Sequence, residues 1–179
     1  MKSKYAFATL LCALALPACT TMGKTLPDKT IGQVALVDAA GRSVGSALIS
    51  DREGVASFSA QVNGLTAGLH GIHLHTSGKC EAPSFTTAGG HLNPGAHQHG
   101  ALNPAGPHMG DLPNIDVQAD GTGSVAVALG VSVAEIKAAL FDADGTAVVV
   151  HAGPDDYKTD PSGNSGGRIA CGVVTAPGR

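Results

Sequence analysis

The sequence predicts an all-β domain, an antiparallel sandwich or barrel, beginning at Ile31. Two features predict it. Short apolar stretches recur about every ten residues with turn residues between them, the rhythm of successive hairpins. The one long interruption, residues 78–113, is crowded with Gly, Pro, Ser and His and carries no strand or helix pattern. Loops of that length are uncommon inside compact domains unless they are functional. Trp is absent and aromatic residues are 3% of the chain, so the core is expected to consist of Val, Leu, Ile and Ala.

In chain order, residues 33–37 form an apolar-rich strand, and Asp38-Ala39-Ala40-Gly41 supplies the turn after it. Residues 44–50 form the second strand, closed by Asp51-Arg52-Glu53-Gly54. Residues 55–62 alternate, with Phe58, Ala60 and Val62 on one face, and Asn63-Gly64 marks the next turn. Residues 69–76 read as a strand in which His73 and His75 share one face while Ile72 and Leu74 point to the core. His70 falls on the core side and is expected to be a packed, hydrogen-bonded histidine, not a ligand. After the long loop, strands resume at residues 115–119 and run again through Val125, Val127 and Leu129. Ser132-Val133-Ala134-Glu135 is a capping-box pattern, so residues 133–140 form a short helix or a loop. Residues 148–151 end a strand, 153–167 make a second loop rich in Gly, Pro and Asp, and 169–174 make the closing strand. A chain of 179 residues defaults to one domain.

The first residues are set apart by composition. Lys2 and Lys4 precede an almost wholly apolar run over residues 5–16, then Leu16-Pro17-Ala18-Cys19. This reads as a secretory signal, since a permanent bilayer span needs about 20 apolar residues. The Leu-x-Ala-Cys ending resembles the lipobox of bacterial lipoproteins, which would make Cys19 the lipidated N-terminus; the alternative is an ordinary cleaved signal with an incidental cysteine. Residues 1–18 are therefore expected to be signal, 19–30 a flexible tether and 31–179 the folded domain. Cys12 leaves with the signal and Cys19 carries the lipid, so Cys80 and Cys171 remain as a pair, expected to be a disulfide in an oxidising compartment. Without Lys2 and Lys4 the chain has nine basic against fourteen acidic side chains and no basic run. Nucleic acid is excluded as a partner on that ground, and a membrane is met only through the lipid anchor.

Chemistry concentrates between His70 and Asp111. Seven of the eight histidines lie there, the eighth is His151, and the rest of the chain has none. Neutral imidazole is the commonest protein metal ligand. Two groups separate on spacing: His73 and His75 with His151, and His91, His99, His108 and Asp111 from the long loop. Zinc accepts imidazole and carboxylate in a tetrahedral shell, whereas tetragonal nitrogen ligation suits copper(II). Histidines serving only core or surface roles would be scattered along the chain.

Five segments resemble the signature blocks of copper/zinc superoxide dismutases: Gly71-Ile72-His73-Leu74-His75, Ala88-Gly89-Gly90-His91-Leu92-Asn93-Pro94, His108-Met109-Gly110-Asp111-Leu112, Val149-Val150-His151 and Gly167-Arg168-Ile169-Ala170-Cys171-Gly172. The resemblance runs in order from about Ile31 to Val174, and with the signal it points to the bacterial exported branch. It implies an eight-stranded Greek-key β-barrel, an immunoglobulin-like sandwich, with two long metal-binding loops. It also implies one copper on His73, His75, His91 and His151 and one zinc on His91, His99, His108 and Asp111, with His91 bridging them. Asp155 would link a copper histidine to a zinc histidine, Arg168 would lie over the copper, and Cys80–Cys171 would be the family disulfide. His97-Gln98-His99 offers two candidates for one zinc position; His99 is chosen because a glycine follows it, as in the family, and His97 is left to solvent.

The implied activity is dismutation of superoxide to oxygen and hydrogen peroxide, with Arg168 and His91 catalytic, in the periplasm or cell envelope, as a monomer or homodimer. Lys79 and Lys158 are the nearest cations for guiding the anion, and ordinary solvated lysines read equally well there. Two other functions compete. A non-catalytic copper carrier would be expected to lack a copper ligand or the arginine, and neither is missing. A zinc hydratase or hydrolase, resembling carbonic anhydrases in its three histidines, leaves the second ligand group and Arg168 without a role.

Overall fold

The computed structural model describes residues 28–178. The expected signal, lipobox and most of the expected tether lie outside the described residues. Nine strand segments form one antiparallel sheet: β1 (Lys29–Asp38), β2 (Ser43–Arg52), β3 (Val55–Val62), β4 (Gly68–His70), β5 (Ile72–His75), β6 (Ile115–Val117), β7 (Gly123–Ser132), β8 (Ala147–His151) and β9 (Arg168–Val173). A helix, α1 (Val133–Leu140), follows β7. The order across the sheet is β4-β6-β7-β3-β2-β1-β9-β8-β5.

The two outermost members of that order, β4 and β5, are separated in the chain only by Gly71. They are two halves of one strand, so the edges of the sheet meet and it rolls into an eight-stranded barrel. The expected continuous strand over residues 69–76 is corrected accordingly: β4 pairs with β6, β5 pairs with β8, and the partner changes at Gly71. The Gly71 N–H donates to the Gly153 carbonyl and its own carbonyl accepts from His151 N, so this residue bonds across the gap instead of along a ladder. A Cβ there would lie 3.0 Å from the Ser165 side chain and 3.2 Å from the His73 ring. The chain passes over β7 and β6 between β3 and β4, and back over β6 and the β4–β5 strand between β7 and β8. Those two long connections make the Greek key.

Alternation sorts the residues as a pleated sheet requires. Val34, Leu36, Ile49, Phe58, Ala60, Ile72, Leu74, Val148 and Val150 meet in the barrel core. Phe58 and Phe85 are among the largest fully buried side chains, so the core is less purely aliphatic than composition suggests. Phe85 anchors a second cluster outside the barrel with Ala88, Ala147, Val149 and Cys171. The open question at Ser132 resolves as a helix: Ser132 Oγ accepts from Glu135 N, and Glu135 Oε2 accepts from Ser132 N, closing the capping box. Ile136 and Leu140 bury the inner face of that helix.

The long segment between β5 and β6 holds a single 3-10 turn, Thr86–Ala88. Backbone bonds stitch it along the free edge of β5: Thr76 N to Gly90 O, Leu92 N to Leu74 O and Leu74 N to Gly110 O. Leu92 and Leu112 drop into the core and pin it. Cys80 and Cys171 form a disulfide with Cα atoms 5.6 Å apart, tying the segment to β9. Closing a loop of 91 residues destabilises the unfolded chain by about 4.6 kcal/mol in the chain-entropy account.

Candidate metal centre

Strand pleating puts His73 and His75 on the outer face of β5, opposite Ile72 and Leu74. The loop lies over that face, so both rings are at most 1% exposed. The loop register does the rest, bridging His75 to His91 and His73 to Asp111. Gly110 makes the approach possible: a Cβ there would run into the Leu74 carbonyl and stand 2.9 Å from Leu92 N. His151 enters from β8, the strand paired with β5.

Ligand-type atoms of His73, His75, His91 and His151 lie within 4.8 Å of one another, as do those of His91, His99, His108 and Asp111. His91 belongs to both groups. In the first, His73 Nδ1 and the Nε2 atoms of His75, His91 and His151 are buried with no hydrogen-bond partner. Orphaned buried polar atoms are costly and rare, and four converging nitrogens with free lone pairs are the donor set a copper ion requires. The opposite nitrogens fix the tautomers: His75 Nδ1 donates to the Gly89 carbonyl, His151 Nδ1 to the Gly166 carbonyl and His73 Nε2 to Asp155. In the second group, Asp111 Oδ1 lies 2.8 Å from His91 Nδ1, 2.9 Å from His99 Nδ1 and 3.2 Å from His108 Nδ1. Three imidazole nitrogens around one carboxylate oxygen make a set that fits zinc.

Asp155 spans the groups: Oδ2 accepts from His73 Nε2 at 2.8 Å, and Oδ1 from His99 Nε2 at 2.9 Å. A carboxylate behind a ligating imidazole fixes its orientation and raises its basicity.

The electrostatics follow from burial and from these carboxylates. Burial pushes His75 down to about 2 and His151 to about 3, and neighbouring rings and Arg168 add to it. His91 falls to about 4, with burial outweighing Asp111. His99 is buried too, yet Asp111 and Asp155 reverse the effect and raise it to about 9. Burial works against the charge of Asp111 and Asp155, and the imidazoles and backbone N–H groups around them still hold both carboxyls far below the usual range. His75, His91 and His151 are therefore neutral and ready to bind a cation, and His99 holds a proton that a metal would displace.

The model of the family described as copper/zinc superoxide dismutase matches residues 43–174. This chain belongs to that family. Cu-Zn superoxide dismutase 1 of Aquifex aeolicus is 51% identical over 107 residues, 58% of this chain and 62% of that one. Cu-Zn superoxide dismutase 2 of the same organism is 41% identical over 144 residues, 78% of this chain and 83% of that one. The crystal structure of a superoxide dismutase-like protein from Bacillus subtilis superposes with a TM-score of 0.74 at 38% identity, over 82% of this chain and 99% of that one.

Arg168 pairs across the sheet with His151 and lines one cavity with His75, His91 and His151. Its Nη1 donates to Phe85 O and its Nη2 to Gly89 O, fixing the guanidinium over the site. Burial lowers its pKa, but an arginine stays charged. His99 is buried in the second group, while His97 is exposed. His70 is buried, its Nδ1 against the His151 carbonyl and its Nε2 against the Thr66 carbonyl, as a packed histidine should be. Lys79 and Lys158 are exposed and do not line the cavity.

Sequence reasoning missed the backbone acceptors and one clamp. Asn114 Nδ2 donates to Asp155 O, Asn114 Oδ1 accepts from Asp155 N, and Asn114 N donates to the Tyr157 hydroxyl. This holds the second loop, and with it Asp155, against the end of the first. No spacing announces it; the only cue is polar residues flanking Asp155 and Pro113.

Proposed function

We propose that this chain dismutes superoxide to oxygen and hydrogen peroxide with one copper and one zinc. The observation that carries the reading is the shared ring: His91 aims an unpartnered Nε2 at three other free imidazole nitrogens and its Nδ1 at the His/Asp group. Copper would be held by His73, His75, His91 and His151, and zinc by His91, His99, His108 and Asp111. Copper supplies the one-electron couple, and across the cycle two superoxide ions and two protons become one oxygen and one hydrogen peroxide.

The protein's own groups supply the rest. Arg168 uses two of its five N–H donors on the Phe85 and Gly89 carbonyls, leaving three to orient an anion in the cavity. His91 Nε2 can hold a proton beside that cavity while Nδ1 stays on the Asp111 side. Asp155 keeps Nδ1 of His73 free of hydrogen by accepting from its Nε2, and by accepting from His99 Nε2 it leaves only the Nδ1 proton of that ring for a metal to displace. The loop over β5 excludes bulk water from the strand histidines. A copper carrier and a zinc hydratase remain without a supporting observation, since no nitrogen of the first group and no part of the Arg168 clamp is missing.

For location, the reading is a periplasmic or envelope protein, exported by residues 1–18 and anchored through a lipid on Cys19, with residues 19–30 as tether. The bacterial relatives and the Cys80–Cys171 disulfide, which an oxidising compartment favours, support export. Among the described residues no helix is long and apolar enough to cross a membrane.

The test is metal analysis and superoxide consumption on the purified mature protein, with cyanide as a copper probe. Copper and zinc in equal amounts with cyanide-sensitive activity are expected. Zinc without copper, or copper without superoxide consumption, overturns the reading.

A further inference from the structure

Two histidines are left over by both metal groups, and only one of them, His97, is not packed away as His70 is. His97 is exposed, yet it lines the same cavity, of about 470 Å³, as His75, His91, His151 and Arg168. Its place there is built. The Asn93 side chain grips its backbone from both directions, with Nδ2 donating to His97 O at 2.8 Å and Oδ1 accepting from His97 N at 3.0 Å. Its ring fills the space beside Gly95, where a Cβ would lie 2.7 Å from its Cδ2 and 2.9 Å from its Nε2. Among the described residues neither of its ring nitrogens has a hydrogen-bond partner.

The cavity is also polarised. Arg168 presents a positive charge to any cation coming in. Asp160 lines the cavity too, its side chain 49% exposed and its Oδ1 accepting from His99 N at 2.7 Å. A metal ion reaching the buried nitrogens therefore meets repulsion at Arg168, and an imidazole and a carboxylate elsewhere on the wall.

Building on the copper reading above, we propose that His97 is a transit ligand for copper. It replaces one of the arriving ion's water or carrier ligands at the cavity mouth. It then gives the ion up to the free nitrogens of His75, His91 and His151, while Asp160 offsets the ion's charge in passage. Bonds to the metal are exchanged and no electron moves. Nothing in the final ligand set requires His97, so its effect is kinetic.

The experiment uses mature protein with zinc bound and copper absent, mixed with copper(II) held by glycine, and follows the growth of the copper visible band. His97→Asn is expected to load about tenfold more slowly, equivalent to about 1.4 kcal/mol of barrier, and to reach the wild-type final spectrum and zinc content. His97→Gln repeats the test with a longer amide and should load as slowly. Equal loading rates overturn the proposal. A changed final spectrum, or zinc lost from both variants, also overturns it, by making His97 part of the permanent site. If the wild-type protein takes up no copper, the functional reading itself falls and this inference with it.

Discussion

Replacing Asp155 by Asn tests how one carboxylate serves two metal groups. Its oxygens accept from His73 Nε2 at 2.8 Å, His99 Nε2 at 2.9 Å and Tyr157 N at 2.7 Å. An amide of the same shape offers one oxygen, so its NH2 must face one of the two rings. That ring has to surrender its Nε2 hydrogen and carry it on Nδ1, the nitrogen that faces the metal group. Tyr157 N donates to the same oxygen, Oδ1, as His99 Nε2, and a backbone N–H cannot accept, so the amide oxygen takes the Oδ1 position and the NH2 the Oδ2 position, against His73. The strand ring should yield. A hydrogen bond to a charged group is worth about 1.5–3 kcal/mol, which corresponds to about a 10–100-fold loss of metal affinity, the usual range for such partners. Copper affinity is expected to fall by that factor and zinc affinity by less, each measured by titrating the metal-free protein against a chelator of known strength. Unchanged copper affinity, or a larger loss at zinc than at copper, refutes the reasoning.

Three further outcomes are expected. Arg168→Ala should retain both metals and lose about tenfold or more in superoxide consumption, about 1.4 kcal/mol of transition-state stabilisation; pulse radiolysis beside metal analysis decides it, and an undiminished rate removes Arg168 from the chemistry. Gly110→Ala should destabilise the protein by about 2–4 kcal/mol, within the range for a buried backbone clash, because its Cβ meets the Leu74 carbonyl; urea unfolding at unchanged m-value measures it. In the metal-free protein, His75, His91 and His151 have depressed values of about 2 to 4, so the unfolded chain binds more protons below the ordinary histidine value and stability falls as pH drops from about 6.5 towards 4. His99, raised to about 9, contributes stability that is lost as pH rises from about 6.5 through 9. Thermal unfolding should therefore peak between neutral and slightly acid pH, and a midpoint that rises on acidification from pH 6.5 to 5 contradicts this ordering.

Strand positions and the site were legible for different reasons. Period-two alternation located β3 to the residue, and the capping box marked where α1 could start while leaving helix or loop open, because both are local devices. The break at Gly71 was not legible, since the residues on either side read as one strand and only barrel closure gives them different partners. The strand pair His73 and His75 followed from pleating. The loop residues His91, His99, His108 and Asp111 could be grouped by type, but their convergence depends on backbone bonds to β5 made through Gly90, Leu92 and Gly110. Which nitrogen His75 and His151 offer was beyond the sequence, because the carbonyls of Gly89 and Gly166 decide it and any residue has a carbonyl.

The disulfide partners and the first metal group have a consequence for biosynthesis. The ligands of that group begin at residue 73 and end at 151, and the sulfur that clamps the covering loop arrives only at 171. A chain made from its N-terminus has no closed cage for copper until almost its whole length has emerged. The four-nitrogen site under its clamped loop therefore forms only after residue 171 has emerged.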